Sequence, residues 1–164
     1  KKVKKQIDCR LVLCGSMATD DPEGMKIYQK VVDYSNHLIQ SGDIIPITSE
    51  NNILVNSLQR YSDVVIQKSI REGFGLVVAE ALWKKAAVVA SNVGGIPLQV
   101  IDGETGFLCE PNDEEAFAER IIQLMKDKKL KEKLGQNGKE HIKSNFLITR
   151  LLCDYLDVIR SLLS

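Results

Sequence analysis

Apolar positions along the chain fall into two rhythms. Short continuous runs occur at Cys9–Gly15, Ile44–Thr48, Val64–Ile66, Ala87–Ala90 and Phe107–Cys109. Runs of this length bounded by turn residues read as strands covered on both faces. Between and after them, apolar residues recur at helical spacing: Ile27, Val31, Tyr34 and Leu38, then Ile53, Leu54, Val55, Leu58 and Tyr61. The same spacing returns in Phe117, Ile121, Leu124 and Met125, in Leu130, Leu134 and Ile142, and in Leu151, Leu152, Tyr155, Leu156 and Ile159. Strand and helix patterns thus alternate five times, which predicts an α/β domain built on an open parallel sheet with helices on both faces. Ligands of such sheets sit beyond the carboxyl ends of the strands.

Turn residues sharpen the boundaries. Asp20-Asp21-Pro22-Glu23-Gly24 reads as a polar loop, and Gly42 stops the helix that ends near Gln40. Pro46 cannot donate to a ladder, so its strand is an edge or ends early. A short helix is expected from Asn51 to about Arg60. Gly94-Gly95-Ile96-Pro97 opens a helix with proline in its first turn, and Asp102–Gly106 is a turn. Asn112, with Glu115 three residues on, predicts the cap of the next helix. The basic run from Lys126 to Lys133 is interrupted by acids and reads as a solvated face. The last helix, Ile148–Leu163, carries a broad apolar face that must dock somewhere.

The stretch Lys68–Ala81 concentrates the candidate chemistry. A strand ends, Gly73 and Gly75 flank Phe74, and a helix begins at once. The first amides of such a helix lack intrahelical partners and favour negative charge, and the glycines let a ligand approach the backbone. Glu72 precedes this positive end and Glu80 lies one turn into the helix. The residues around Glu80 are almost all apolar, which predicts a buried helix and a carboxylate that needs a donor. Two readings stand: an exposed Glu favoured by the helix dipole, or a site holding phosphate on amides and sugar hydroxyls on carboxylates.

Composition narrows the classes. A chain of 164 residues fits one domain, and 22 basic residues balance 22 acidic ones, so nothing global points to nucleic acid or an anionic membrane. No apolar run approaches the roughly 20 residues of a membrane span. The chain opens on Lys1-Lys2, without Met or signal peptide, and is expected to be a piece of a longer protein. Cys9, Cys14, Cys109 and Cys153 lack metal-ligand spacing; small buried hydrophobes in a reducing cytoplasm are expected, with Cys9 and Cys14 facing opposite sides of one strand. His37 and His141 read as surface or packing residues, and no metal site is expected.

Neither Gly-x-Gly-x-x-Gly nor Gly-x-x-x-x-Gly-Lys-Ser/Thr occurs, which disfavours a dinucleotide oxidoreductase and a P-loop enzyme. The segment Glu72–Ala81 instead resembles the Glu-x7-Glu signature of retaining GT-B glycosyltransferases, the family of sucrose and glycogen synthases. Val88–Pro97 and Asp102–Leu108 resemble that family's next two blocks at the expected distance. Met17–Gly24, Val55–Val64 and Ser69–Leu76 resemble the archaeal and bacterial trehalose synthases, which join a nucleotide-activated glucose to glucose.

The resemblance runs from about Arg10 to the C-terminus and implies the donor-binding, Rossmann-like C-terminal half of a GT-B enzyme, residues 1–164. It assigns Glu72 to donor-sugar hydroxyls as the catalytic carboxylate and Glu80 to the nucleotide ribose. The backbone of Gly75, Leu76 and Val77 is assigned to the diphosphate, Gly73 and Phe74 count with them as donor-binding, and Ile47 and Thr48 belong to the neighbourhood of the base. It implies no cofactor beyond a nucleotide-sugar substrate such as UDP-, ADP- or GDP-glucose, an acceptor held by an absent N-terminal domain, a homodimer as an option for the full-length protein, and a cytoplasmic location. The domain's first strand, and an Arg and a Lys on the following loop, would precede Lys1. Lys84-Lys85-Ala86-Ala87 replaces the family's common Gly and Pro, a turn variant. The alternatives are a GT-B enzyme or phosphorylase with another acceptor, and a non-catalytic α/β binding module.

Overall fold

A computed structural model describes residues 1–15 and 22–163. The elements run β1 (Leu11–Cys14), α1 (Pro22–Gln40), β2 (Ile44–Ile47), α2 (Asn52–Tyr61), β3 (Val65–Gln67), α3 (Leu76–Trp83), β4 (Val88–Ser91), α4 (Ile96–Gln99), β5 (Phe107–Cys109), α5 (Glu114–Lys126), α6 (Lys128–Asn145) and α7 (Ile148–Leu163). Contacts divide the chain into two units, Lys1–Ser57 and Leu58–Ser164, with the boundary inside α2.

In the first unit β1 and β2 pair in parallel, with Leu11 opposite Ile44 and Leu13 opposite Pro46. Among the described residues β2 has a neighbour on one side only, which suits a strand containing proline. Pro22, Glu23 and Gly24, expected in a loop, instead open α1; proline is favoured in a first turn because its missing N–H would be unsatisfied there anyway. Residues 20 and 21 of that loop lie outside the described residues, as does most of the Met17–Gly24 segment. The expected inward stripe of α1 is corrected as well. Ile27 and Tyr34 are exposed, whereas Ser35 is buried and Tyr28, Val32 and Ile39 are half-buried. The packed face is rotated by about one residue, and Ser35 is tolerated on it because its Oγ donates to Val31 O at 2.5 Å.

The second unit contains the order β3–β4–β5, all parallel, with Val65 opposite Val88 and Val89 opposite Phe107. Strand β4 is buried along its whole length, and its residues alternate between two cores. Val88 and Ala90 pack with Val78, Ala81 and Leu82 of α3, Ile96 of α4 and Ile142 of α6. Ala87 and Val89 pack with Phe107, Phe117 and Leu124 on the other face. The α/β class, parallel pairing and helices on both faces are therefore as expected.

Two glycines of α6 let α3 come close. A Cβ on Gly135 would lie 2.1 Å from Lys85 O, and one on Gly138 would lie 2.6 Å from Leu82 Cδ2. The cap of α5 is Asp113, whose Oδ1 accepts from Ala116 N at 2.9 Å, rather than Asn112. Both residue types can cap, and the one three positions before a free amide in register takes the role. The cysteine expectation holds for Cys109 alone. Cys14 and Cys153 are exposed, Cys9 lies outside β1 and is half-buried, and all four are free thiols. Every described residue of α7 is exposed. No helix among the described residues is long and apolar enough to cross a membrane.

Candidate nucleotide-sugar site

Strand β3 ends at Gln67, and the chain turns through residues 68–75 into α3. Gly75 is the N-terminal flanking residue, at φ +86°, a left-handed conformation that glycine adopts without strain. The amides of Val78 and Ala79 turn back to Gly75 O, at 2.9 and 3.3 Å. Those before them have no intrahelical partner, and no side chain caps the helix. Leu76 and Val77, which carry these amides, are exposed. The result is an open, positively polarised helix start, with no acidic residue in its first turn to fill it.

The turn is built on the second glycine pair. A Cβ on Gly94 would lie 1.8 Å from Glu72 O, and one on Gly95 would lie 2.7 Å from Gly73 O. Only glycine permits this approach. It lets Gly95 N donate to Gly73 O at 2.7 Å. Gln99, wholly buried at the end of α4, donates through Nε2 to Phe74 O. Its Oε1 is the one buried side-chain polar atom without a partner among the described residues. Ser69 N donates to Ser91 Oγ at 3.0 Å, tying the start of the turn to the end of β4. Three consecutive carbonyls, of Glu72, Gly73 and Phe74, are thus fixed or closely packed from below. Phe74 is half-exposed, its ring 5.9 Å from that of Phe146.

Glu72 is half-buried and held by the strand it follows. Its Oε2 accepts from Gln67 Nε2 at 3.1 Å and Ser69 Oγ at 3.4 Å, while Oε1 accepts from Gly73 N at 3.1 Å. The carboxylate is thereby turned onto the loop, with its Cγ 3.5 Å from where a Gly75 Cβ would stand. Lys68, which opens the stretch, is committed to the scaffold: its Nζ donates to Pro111 O at 2.8 Å and lies over the Phe117 ring.

The expectation that Glu80 is buried is corrected. Its side chain is 51% exposed, because α3 buries only the stripe Val78, Ala81 and Leu82 while Leu76, Val77 and Trp83 face outward. The carboxylate nevertheless has protein donors: Gln59 Nε2 at 3.1 Å and Lys84 Nζ at 3.9 Å, both on Oε2. Ile47 and Thr48 belong to the first unit. Ile47 closes β2, half-buried, and accepts from Gly15 N at 3.1 Å; Thr48 is exposed. Both line an open cavity of about 330 Å³ with Tyr28, Val31, Val32 and Pro46. Gln59, Gln67 and Gln99 were missed in the sequence. Their one signal is polarity within or beside a strongly apolar run, and that is equally the mark of an exposed residue.

A parallel α/β fold with an uncapped, glycine-backed helix start and a hydrogen-bonded carboxylate on either side of it is of the GT-B class. The chain belongs to the glycosyl transferases group 1 family, whose sequence model matches residues 1–141. It is 46% identical over 164 residues to the trehalose synthase of Rubrobacter xylanophilus and 43% identical over 162 residues to that of Thermococcus litoralis. These matches cover 99% and 98% of the chain but 39% of each relative, so the chain spans about two fifths of their length. A trehalose phosphorylase of Grifola frondosa is 35% identical over 136 residues, 81% of the chain and 19% of that protein. Among solved structures, the C-terminal domain of a glycosyl transferase group 1 family protein from Francisella tularensis superposes with a TM-score of 0.73 at 30% identity. That match covers 90% of this chain and 74% of the other. HepE of Anabaena in complex with UDP superposes with a TM-score of 0.81 at 20% identity, over 98% of this chain and 43% of that one, a likeness of fold.

Proposed function

We propose that this chain is the donor-binding domain of a retaining glycosyltransferase that moves glucose from a nucleoside-diphosphate glucose to a second sugar, in the manner of a trehalose synthase. The observation that carries the reading is the uncapped start of α3 between two carboxylates that are already held by hydrogen bonds. The amides of Gly75, Leu76 and Val77 suit a diphosphate, because oriented N–H groups stabilise the charge that develops on the leaving group. Glu72 takes donor-sugar hydroxyls, as the catalytic carboxylate, and Glu80 takes ribose hydroxyls. Ile47 and Thr48 are assigned to the base by the family resemblance alone. The 43–46% identity to trehalose synthases across nearly the whole chain supports the assignment. UDP, the ligand named for the Anabaena protein, is one candidate donor nucleotide beside ADP and GDP.

The bond between the anomeric carbon and the diphosphate oxygen breaks, and the acceptor hydroxyl attacks from the same face. Its proton passes to the departing diphosphate, so that configuration is retained without a carboxylate nucleophile. No metal or organic cofactor takes part. The acceptor site, the first strand of this domain and a cationic loop against the diphosphate belong to the rest of the polypeptide, for which a homodimer is an open arrangement. Four free thiols support a reducing, cytoplasmic setting.

The similarity to a trehalose phosphorylase favours a second reading in which phosphate takes part in the exchange. Product analysis of the full-length protein separates them. With UDP-, ADP- or GDP-glucose and glucose, the first reading predicts trehalose. Trehalose breakdown that requires phosphate and no nucleotide supports the second. Loss of neither substrate under any pairing, in folded protein, overturns both.

A further inference from the structure

Gln59 is a polar residue in a position where polarity needs a reason. It lies near the end of α2 and is 5% exposed. A buried amide is costly unless both its ends are hydrogen-bonded. Here both are: Nε2 donates to Glu80 Oε2 at 3.1 Å, and Oε1 accepts from Lys84 Nζ at 2.5 Å. Lys84 is itself largely buried, its side chain 10% exposed, and stands four residues after Glu80 on the same helix face.

The chemistry of the three groups gives the chain a direction. An ammonium group has donors and no acceptor, so it fixes the amide oxygen of Gln59 towards Lys84. The amide NH2 is then committed to Glu80. Turning the amide over would set NH2 against ammonium and leave the carboxylate against a carbonyl. Both protein contacts of Glu80 fall on Oε2. Among the described residues its Oε1 has no hydrogen bond, on a carboxylate that is half exposed.

We propose that Gln59 and Lys84 are positioning residues that hold one oxygen of Glu80 so that the other is presented, in a fixed rotamer, to a vicinal diol. The inference rests on the reading of Glu80 as the ribose contact and names what makes that contact effective. A surface glutamate must give up rotamer freedom when it grips a ligand. Here that freedom is removed beforehand by a buried amide, whose orientation a buried cation dictates. The diol is the 2′,3′-diol of the donor nucleotide.

The test uses the full-length protein and the nucleoside-diphosphate glucose that it turns over, with the 2′-deoxy and 3′-deoxyribose forms of that donor. In Gln59→Met the donor KM should rise about tenfold while kcat stays within about twofold, the size expected for a lost hydrogen bond to a charged group. The KM penalty for removing a ribose hydroxyl, present in the parent protein, should largely disappear in Gln59→Met. A packing role alone would leave that penalty in place. Lys84→Met should reproduce the effect and Lys84→Arg, which keeps a donor for Gln59 Oε1, should restore it; this pair stands in if Gln59→Met does not fold. An unchanged KM, or an unchanged deoxyribose penalty in a folded variant, overturns the proposal. If Glu80→Ala itself keeps the full penalty, the ribose reading of Glu80 fails. If Glu80→Ala abolishes it and the Gln59 and Lys84 variants do not, the positioning role alone fails.

Discussion

Lys85 is the one described residue other than glycine with positive φ, at +63°. It stands just past the end of α3, where the chain must reverse into β4 within four residues. Lys85 N donates to Leu82 O at 2.9 Å and Ala86 N to Ala81 O at 3.0 Å, the paired bonds of a helix end that normally carries glycine at this position. Holding an L-residue there costs about 1–2 kcal/mol. Lys85→Gly removes that strain but frees the unfolded chain, which returns roughly 0.5–1 kcal/mol. The lysine side chain is exposed, and α6 approaches its backbone oxygen, so no packing is lost. The net gain should be about 0.5–1 kcal/mol, or a rise in Tm of roughly 2 °C for a protein of this size. Lys85→Ala keeps the Cβ and should gain nothing, while Lys85→Asn should fall between. Thermal unfolding followed by circular dichroism measures all three. A fall in Tm for Lys85→Gly, or an equal gain for Lys85→Ala, would refute left-handed strain as the cause.

Other consequences follow from single contacts. Gly94→Ala places a Cβ 1.8 Å from Glu72 O at a residue with φ +57°, so it should cost about 3 kcal/mol or more and displace the turn that precedes α3. Gly103→Ala, at φ +74° with open space around it, should cost only about 1 kcal/mol. Denaturant midpoints compare them, and equal losses would contradict the close packing of the two glycine turns. Lys4 Nζ lies 2.7 Å from Asp43 and 2.6 Å from Asp8, and its hydrogen bonds hold both carboxyls below their ordinary range. A folded-state pKa below the unfolded value stabilises above the unfolded pKa and is lost as pH falls through the folded one. Lys4→Met should therefore lower stability above about pH 4, and its difference from the parent protein should close as pH falls below that. Carboxyl NMR titration should show Asp43 returning upward, and an unmoved Asp43 would sink the assignment.

Much of this could be read in the residues. The five strand runs and the last helix lie where their spacing put them, because each is bounded by a turn residue or begins an uninterrupted periodic face. Gly73, Gly75, Gly94 and Gly95 announced turns at strand ends. That one pair lies beneath the other was not legible, since a backbone approach leaves no trace in hydropathy. Glu80 misled for a related reason: α3 is apolar all round, and periodicity does not tell how much of an apolar helix the described chain covers. The stripe Ile27, Val31 and Tyr34 failed similarly, because α1 turns Ser35 inward and satisfies it on its own backbone. Gln59, Gln67 and Gln99 were invisible, because a glutamine that hydrogen-bonds within the protein looks the same in sequence as one in water.

The central claim is that Glu72 and Glu80 flank a nucleotide-sugar site at the start of α3, and glycosyl transfer by the full-length protein tests it most directly. Glu72→Ala and Glu80→Ala should each lower transfer from the preferred donor at least about a hundredfold, with unfolding midpoints near that of the parent protein. Near-parental transfer by both variants would contradict the account.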